Sequence, residues 1–225
     1  MAEAEKNMFE ELFIQKAAKG DFLFPEQSRE DCQNVLSSDA GAEEKSEAIF
    51  SLCETFRCEA LKKAGKLANR DCEKLIRLIR SYEKELGEDA GIVLLRQGAR
   101  SEKFHDYESA LKFYEASLRC DIQHPPSRYF RLNNLAFCLN VSCRFDKAEE
   151  FLRAATFMDP LRYNAWKNLG VCLEFQKNYE EAAECYFRAV CCSHGERRSV
   201  KHFLRLLERQ PALQEKYPKW SNLED

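Results

Sequence analysis

The chain has 225 residues, 32% charged and 44% hydrophobic, with only 8 glycines and 6 prolines; this is the composition of a helical globular protein and excludes a disordered or collagen-like one. A net charge of -3 and an isoelectric point near 5.9 supply no overall basic field, so the charge balance gives no reason to expect nucleic acid as a partner. No apolar run approaches the roughly 20 residues needed to span a bilayer, and residues 1–20 lack the unbroken apolar stretch of a signal peptide.

From the N-terminus, spacings such as Phe9/Leu12/Phe13 and Leu75/Ile76/Leu78/Ile79 predict helices over about 3–19, 27–37, 43–65 and 69–86. Ser37 to Gly41 reads as a loop. Phe22-Leu23-Phe24-Pro25 is apolar without helical character, and such a run is expected in a groove rather than in water. Residues 1–88 are therefore expected to form a helical extension packed on the first copy of the repeat that follows, with room for a degenerate hairpin.

Beyond residue 88 the chain repeats itself. Arg144-Phe145-Asp146-Lys147-Ala148 aligns with Asn178-Tyr179-Glu180-Glu181-Ala182 at an offset of 34 residues. The register pairs Leu132 with Trp166, Leu135 with Leu169, Ala136 with Gly170, Leu139 with Leu173, Leu152 with Tyr186 and Ala155 with Ala189. An earlier copy places Leu94, Gly98, Tyr107, Ala110, Tyr114 and Ser117 equivalently, which gives copies at 91–124, 129–162 and 163–196. His124-Pro125-Pro126-Ser127 lengthens the connection between the first two. Each copy carries two amphipathic segments, in the third about 163–176 and 179–192, joined at Gln176-Lys177-Asn178. Small residues at Gly170, Ala182 and Ala189 allow the two helices to approach, and Trp166, Leu169, Tyr179 and Tyr186 fill the space between them. Residues 197–209, with Val200, Phe203, Leu204 and Leu207 on one side and Pro211 beyond, read as a capping helix; the tail from 211 contains Trp220 but no pattern.

Trp166-x-x-Leu169-Gly170, then Ala182, Tyr186 and Ala189, with Pro160 at a closing proline, resembles the tetratricopeptide repeat over about 106 residues. The departures are Gln97 at a large apolar position, Ser117 at an alanine and His194 at the last proline. The resemblance implies an all-α fold, a right-handed superhelix of such hairpins with a helical N-terminal extension and a C-terminal capping helix. It also implies that positions 2, 5, 6 and 9 of each first helix line a concave groove.

Carried onto this chain, the groove begins with Ile92, Leu95, Arg96 and Ala99 and continues with Phe130, Asn133, Asn134 and Phe137. Asn164, Lys167, Asn168 and Val171 come next, then Arg198, Lys201, His202 and Arg205, so the lining runs from apolar through amide-rich to basic. Asparagine amides can bond both the N–H and the C=O of an extended backbone, and the cations suit acidic side chains or a terminal carboxylate. The two-carboxylate clamp by which some family members hold chaperone tails is not reproduced, because only Asn134 fits it.

The expected function is a cytoplasmic adaptor or chaperone-like protein that binds an extended or helical segment of another protein, without cofactor, metal, nucleic acid or membrane. A self-associating or autoinhibited assembly protein is one alternative, and an enzyme or metal protein built on the N-terminal region is another. Neither His105 nor His124 is placed for acid–base work with an orienting carboxylate. Cys191-Cys192-Ser193-His194 has no second ligand pair at zinc spacing. The 11 cysteines, several inside helical patterns (Cys53, Cys72, Cys138, Cys172, Cys185), read as small buried hydrophobes of a reducing compartment.

Overall fold

The computed structural model describes residues 26–64, 67–193, 197–218 and 220. The predicted helix over 3–19 and the run Phe22-Leu23-Phe24-Pro25 lie outside the described residues. Among these residues all regular structure is helical: α1 (Glu26–Ser37), α2 (Ala42–Ala64), α3 (Asn69–Ser81), α4 (Glu83–Leu86), α5 (Asp89–Lys103), α6 (Tyr107–Ser117), α7 (Pro125–Val141), α8 (Phe145–Met158), α9 (Tyr163–Phe175), α10 (Tyr179–Cys192), α11 (Arg197–Arg209) and α12 (Pro211–Gln214). The all-α class is as expected. The predicted helix over 69–86 is broken at Tyr82, whose ψ of 12° leaves the helical range and starts the short α4.

The backbone itself repeats. His105, Cys143 and Lys177 take the left-handed conformation, with φ of 59°, 56° and 65°, although none is glycine. Each sits between the two helices of a hairpin, and the next residue's N–H bonds five residues back: Asp106 to Ser101 O at 3.0 Å, Arg144 to Leu139 O at 2.9 Å and Asn178 to Leu173 O at 2.9 Å. This is the Schellman closure, which satisfies the last carbonyls of one helix while reversing the chain.

The chain divides into two compact units, residues 1–131 and 132–225. In the first, α1 packs on α2, α2 packs on α3, α4 and α5, and α3 packs on α5 and α6. Ile49, Cys53, Leu75, Ile79, Val93, Leu94, Phe113 and Ile122 form its core. Where the later copies carry Leu135/Leu169 and Leu139/Leu173, the first has Gln97 and Ser101, both fully buried. Arg57 of α2 explains them. Its guanidinium, 3% exposed, donates to Gln97 Oε1 at 2.7 Å and to Ser101 Oγ at 2.9 Å. Gln97 Nε2 in turn donates to Glu54 at 3.3 Å, and Arg100 Nε donates to the other Glu54 oxygen at 2.9 Å. The positions that depart from the repeat pattern are thus the sockets of a buried charge. Arg96 likewise grips Glu47 through both guanidinium nitrogens and lies 3.8 Å from the Phe50 ring centre, so this groove position faces α2.

In the second unit α9 and α10 form a hairpin, α8 packs on α9, α11 packs on α9 and α10, and α12 packs on α11. The buried side of α11 is Phe203, Leu206 and Leu207, whereas Leu204 and Val200 are half-buried. Two aromatic residues of the tail make contacts that its sequence did not announce. Tyr217 and Trp220 pack against Phe203 at centroid distances of 5.0 and 5.7 Å, and against Phe187 at 5.5 and 6.4 Å.

Hairpin closure rests on a glycine facing a tyrosine. A Cβ on Gly98 would lie 2.4 Å from Tyr114 Cε1, and one on Gly170 would lie 2.5 Å from Tyr186 Cδ1. The second copy instead has Ala136 with Leu152, a larger residue on one side and a smaller one on the other.

Substitution tests both kinds of packing. Gln97→Leu, which restores the repeat pattern, should lower stability by about 1–3 kcal/mol in urea denaturation, because it strands buried donors and acceptors on Arg57 and Glu54. Gly170→Ala should cost about 1–3 kcal/mol through overpacking. The double variant Gly170→Ala/Tyr186→Leu, which copies the second repeat, should be less destabilised than the two single changes summed, by roughly 0.5–3 kcal/mol of coupling.

Candidate functional site

In the second unit the inner helices lie side by side, with α9 between α7 and α11. Amides join α7 to α9: Asn168 Nδ2 donates to Asn133 Oδ1 at 3.0 Å, and Asn140 Nδ2 donates to the Asn168 carbonyl at 3.0 Å. Asn133 Nδ2 continues the chain to Asn134 Oδ1 at 2.9 Å. At 7% and 6% exposure Asn133 and Asn168 are interior groups, and their amides hold one helix on the next. Asn134, Phe137, Asn164 and Lys167 are half-buried and line the surface over this ladder.

On α11, Lys201 is exposed and Arg205 is bonded to Glu174 at 3.0 Å. Glu174, with its side chain only 10% exposed, also accepts from Arg209 at 3.1 Å and from the Tyr186 hydroxyl at 2.8 Å. Burial, reinforced by Glu174, pushes the Tyr186 phenol up from its ordinary value, so it stays protonated and donates. The side chain of Arg198 lies outside the described residues. Phe130 belongs to the first unit, 45% exposed, with its ring edge-on to Tyr129. Of the groove cations read from the sequence, Lys167 is half-buried and Lys201 exposed, while Arg205 fastens α11 to α9.

Sequence reasoning missed Glu174 and Arg209. The signal existed: Glu102 with Tyr114 and Glu174 with Tyr186 recur at the same spacing, and Tyr114 donates to Glu102 at 2.8 Å as Tyr186 does to Glu174. His202 stacks on Tyr186 at 5.5 Å and 20°, with Arg205 3.4 Å from its Nδ1. Burial first, then Arg205, Lys167 and Lys201 against an opposing Glu174, hold its imidazole below the usual range.

Among the described residues no group of three or more His, Cys, Asp or Glu could hold a metal ion, and no helix is long and apolar enough to cross a membrane. His194 lies outside the described residues. No two of the eleven cysteines are bonded to each other. Burial pushes the Cys53, Cys172 and Cys185 thiols up to about 12, which makes them packing groups and poor nucleophiles.

The fold has counterparts among known proteins. The Tetratricopeptide repeat family model matches residues 163–191. The fold is similar to that of the OM64 TPR domain of Arabidopsis, at 20% identity and a TM-score of 0.50, over 54% of this chain and 98% of that one. It is also similar to MamA, residues 41 to the end, from Desulfovibrio magneticus RS-1, at 17% identity and a TM-score of 0.52, over 78% of this chain and 94% of that one. Pseudomonas aeruginosa PilF matches over 95% of this chain and 94% of its own length, at 14% identity and a TM-score of 0.52. At these identities the likeness establishes the fold alone. No curated protein sequence matches the chain significantly. Residues 163–191 are thus similar to the tetratricopeptide repeat, and the chain shares the helical fold of these tetratricopeptide structures.

His202 gives the fold a pH dependence. Its folded-state pKa is lowered, so between that value and the ordinary one, about 6.5, the unfolded chain binds more protons. The stability linked to this residue is present above pH 6.5 and is lost as pH falls through the lowered folded value. Urea denaturation should show stability declining below about pH 6.5, with a smaller decline in His202→Gln.

Proposed function

We propose that the protein is a non-catalytic adaptor, chaperone-like in its mode, that binds an extended or helical segment of another protein across α7, α9 and α11. The tetratricopeptide fold is that of a protein–protein interaction module. The observation that carries the reading is the arrangement in the second unit: Asn134 and Asn164 offer amides, Phe137 an apolar contact, and Lys167 and Lys201 positive charge, on a surface backed by the buried Asn133–Asn168 ladder. Amides bond backbone without reading sequence, and the lysines favour a segment with acidic side chains or a terminal carboxylate. The organisation that suits this role is three repeats at 91–124, 129–162 and 163–196, closed by the capping helix. Eleven cysteines without a disulfide among them suit the cytoplasm.

The binding face differs in one respect from the groove that the repeat register implies: Asn133, Asn168 and Arg205 act as scaffold, and recognition falls to the remaining side chains. Display of peptide libraries with free C-termini should enrich acidic sequences on the full-length protein. Asn134→Ala/Asn164→Ala/Lys167→Ala should weaken the enriched peptides at low salt by tenfold or more, about 1.4 kcal/mol, and the difference should narrow at high salt, which screens Lys167 in the unsubstituted protein. Recovery of the same peptides with unchanged affinity by the triple variant would sink the proposal. Phe157 and Leu161, 91% and 79% exposed, favour self-association as a second reading, and light scattering over a range of concentrations separates the two.

A further inference from the structure

The first unit carries an apolar trough of about 410 Å³ between α2 and α3, a volume in the range, about 300–1,000 Å³, of pockets that enclose small ligands. Phe56, Ala60, Leu67, Leu75 and Leu78 form its apolar lining. Leu67 and Leu75 are buried at its base, Ala60 and Leu78 are half-buried on its walls, and Phe56 is 40% exposed at its edge. At a helical rise of about 1.5 Å per residue, the trough runs roughly 10 Å along α2 from Phe56 to Lys63 and roughly 12 Å along α3 from Arg70 to Leu78. Lys63 stands in the last turn of α2 and Arg70 in the first turn of α3. Positive charge therefore gathers where the hairpin closes, and Phe56 and Leu78 mark the other end.

The charge balance at the closed end is open to an anion. Lys63, Arg70 and Lys74 are all exposed, and the carboxylates beside them are Asp71 and Glu59. Glu59 is taken by Arg29 at 2.8 Å. Asp71 lies 4.0 Å from Arg70 and 3.8 Å from Lys74, whose side chains are 82% and 68% exposed. Surface contacts of that length hold little, so both cations can turn toward a second carboxylate. Helix α3 adds to the field, because its N-terminus lies at the same end. Its N-cap residue, Ala68, brings no side-chain oxygen to the first amides, and the positive end of the helix dipole is directed there.

The lining decides what lies in the trough. Its Phe, Ala and Leu side chains offer no partner to a backbone N–H or C=O, so an extended peptide would bury unpaired polar groups there. A helix, about 10–12 Å across with its side chains, is as wide as the trough is long and would rest on its lip. One unbranched hydrocarbon chain meets neither obstacle. We propose that the α2–α3 trough binds a single-chain amphiphile with a carboxylate head, a long-chain fatty acid, its tail along Ala60, Leu67, Leu75 and Leu78 and its head on Lys63, Arg70 and Lys74. The Arg70 guanidinium suits a carboxylate through two parallel hydrogen bonds, and affinity rises with tail length until the trough is filled. The site stands on α2 and α3 alone and does not depend on the peptide-binding reading of α7, α9 and α11.

The test titrates the full-length protein with the fluorescent fatty acid cis-parinarate below its micellar concentration, then displaces it with oleate, octanoate and oleyl alcohol. Saturable binding at a single site per chain is expected, with oleate displacing the probe and both octanoate and oleyl alcohol weaker by about tenfold or more. Ala60→Phe, which fills the trough, should weaken cis-parinarate by about tenfold or more, with circular dichroism checking that the helices are intact. Arg70→Gln/Lys74→Gln changes exposed side chains and should weaken it similarly at low salt and less at high salt, so the outcome stays readable if Ala60→Phe unfolds the unit. Oleate should also slow amide hydrogen exchange at residues 56–63 and 70–78. Absence of saturable binding, oleyl alcohol as tight as oleate, affinity unchanged in the glutamine pair, or exchange slowed on α9 or α11 instead would each overturn the proposal. A trough already filled by a segment of the chain or by a second copy gives the first of these results.

Discussion

Everything in this fold depends on how closely two helices of one hairpin can approach. Gly98 and Gly170 leave no room for a methyl group because Tyr114 and Tyr186 lie against the bare backbone. Burying a tyrosine there raises a second requirement, since its hydroxyl needs a partner, and Glu102 and Glu174 supply it from the end of the preceding helix. The left-handed residues at 105 and 177 then turn the chain back onto that contact. In the first and third hairpins glycine, tyrosine, glutamate and turn act together, whereas the second keeps the turn at Cys143 with Ala136 and Leu152 in place of the glycine and tyrosine.

A hairpin built this way still has outer faces to cover, and the two units solve that differently. In the first, α2 and α3 cover α5 and α6, and the joint is polar inside: Arg57 reaches Gln97 and Ser101, with Glu54 balancing the charge. A buried ion pair adds little net stability over apolar packing, but it penalises every misaligned arrangement, because a slip leaves a desolvated charge. In the second unit the cover is aromatic, with Phe203, Tyr217 and Trp220 gathered on Phe187. Ring pairs of this kind contribute about 0.5–1.5 kcal/mol each beyond their burial and tolerate more variation in sequence.

These differences account for what could be read from the sequence. Helix positions were legible to within a residue or so at 26–37, 42–64 and 163–175, because amphipathic spacing is local. Gln97 looked like decay of the repeat, since its justification, Arg57, lies 40 residues upstream in a different helix. Tyr217 and Trp220 showed no period because their order comes from rings on two other helices. The asparagines were legible as a recurrence but ambiguous in meaning. An amide at a repeated position can face a ligand or another amide, and Asn133 and Asn168 face each other.

That ambiguity sharpens the view of the site. A surface meant to hold a peptide backbone must be rigid before the peptide arrives, or the ordering cost falls on binding. The interior amides and the Glu174–Arg205–Arg209 cluster perform that ordering in advance, fixing α9 against α7 on one side and α11 on the other. Arg205, read alone, is a groove cation; read with Glu174, it is a fastener whose charge is already matched. His202, stacked on the same tyrosine and surrounded by Arg205, Lys167 and Lys201, adds no charge at neutral pH. On the face proposed above, the interior amides and the Glu174 cluster are satisfied within the fold, and Asn134, Asn164, Lys167 and Lys201 give its surface amide and positive character.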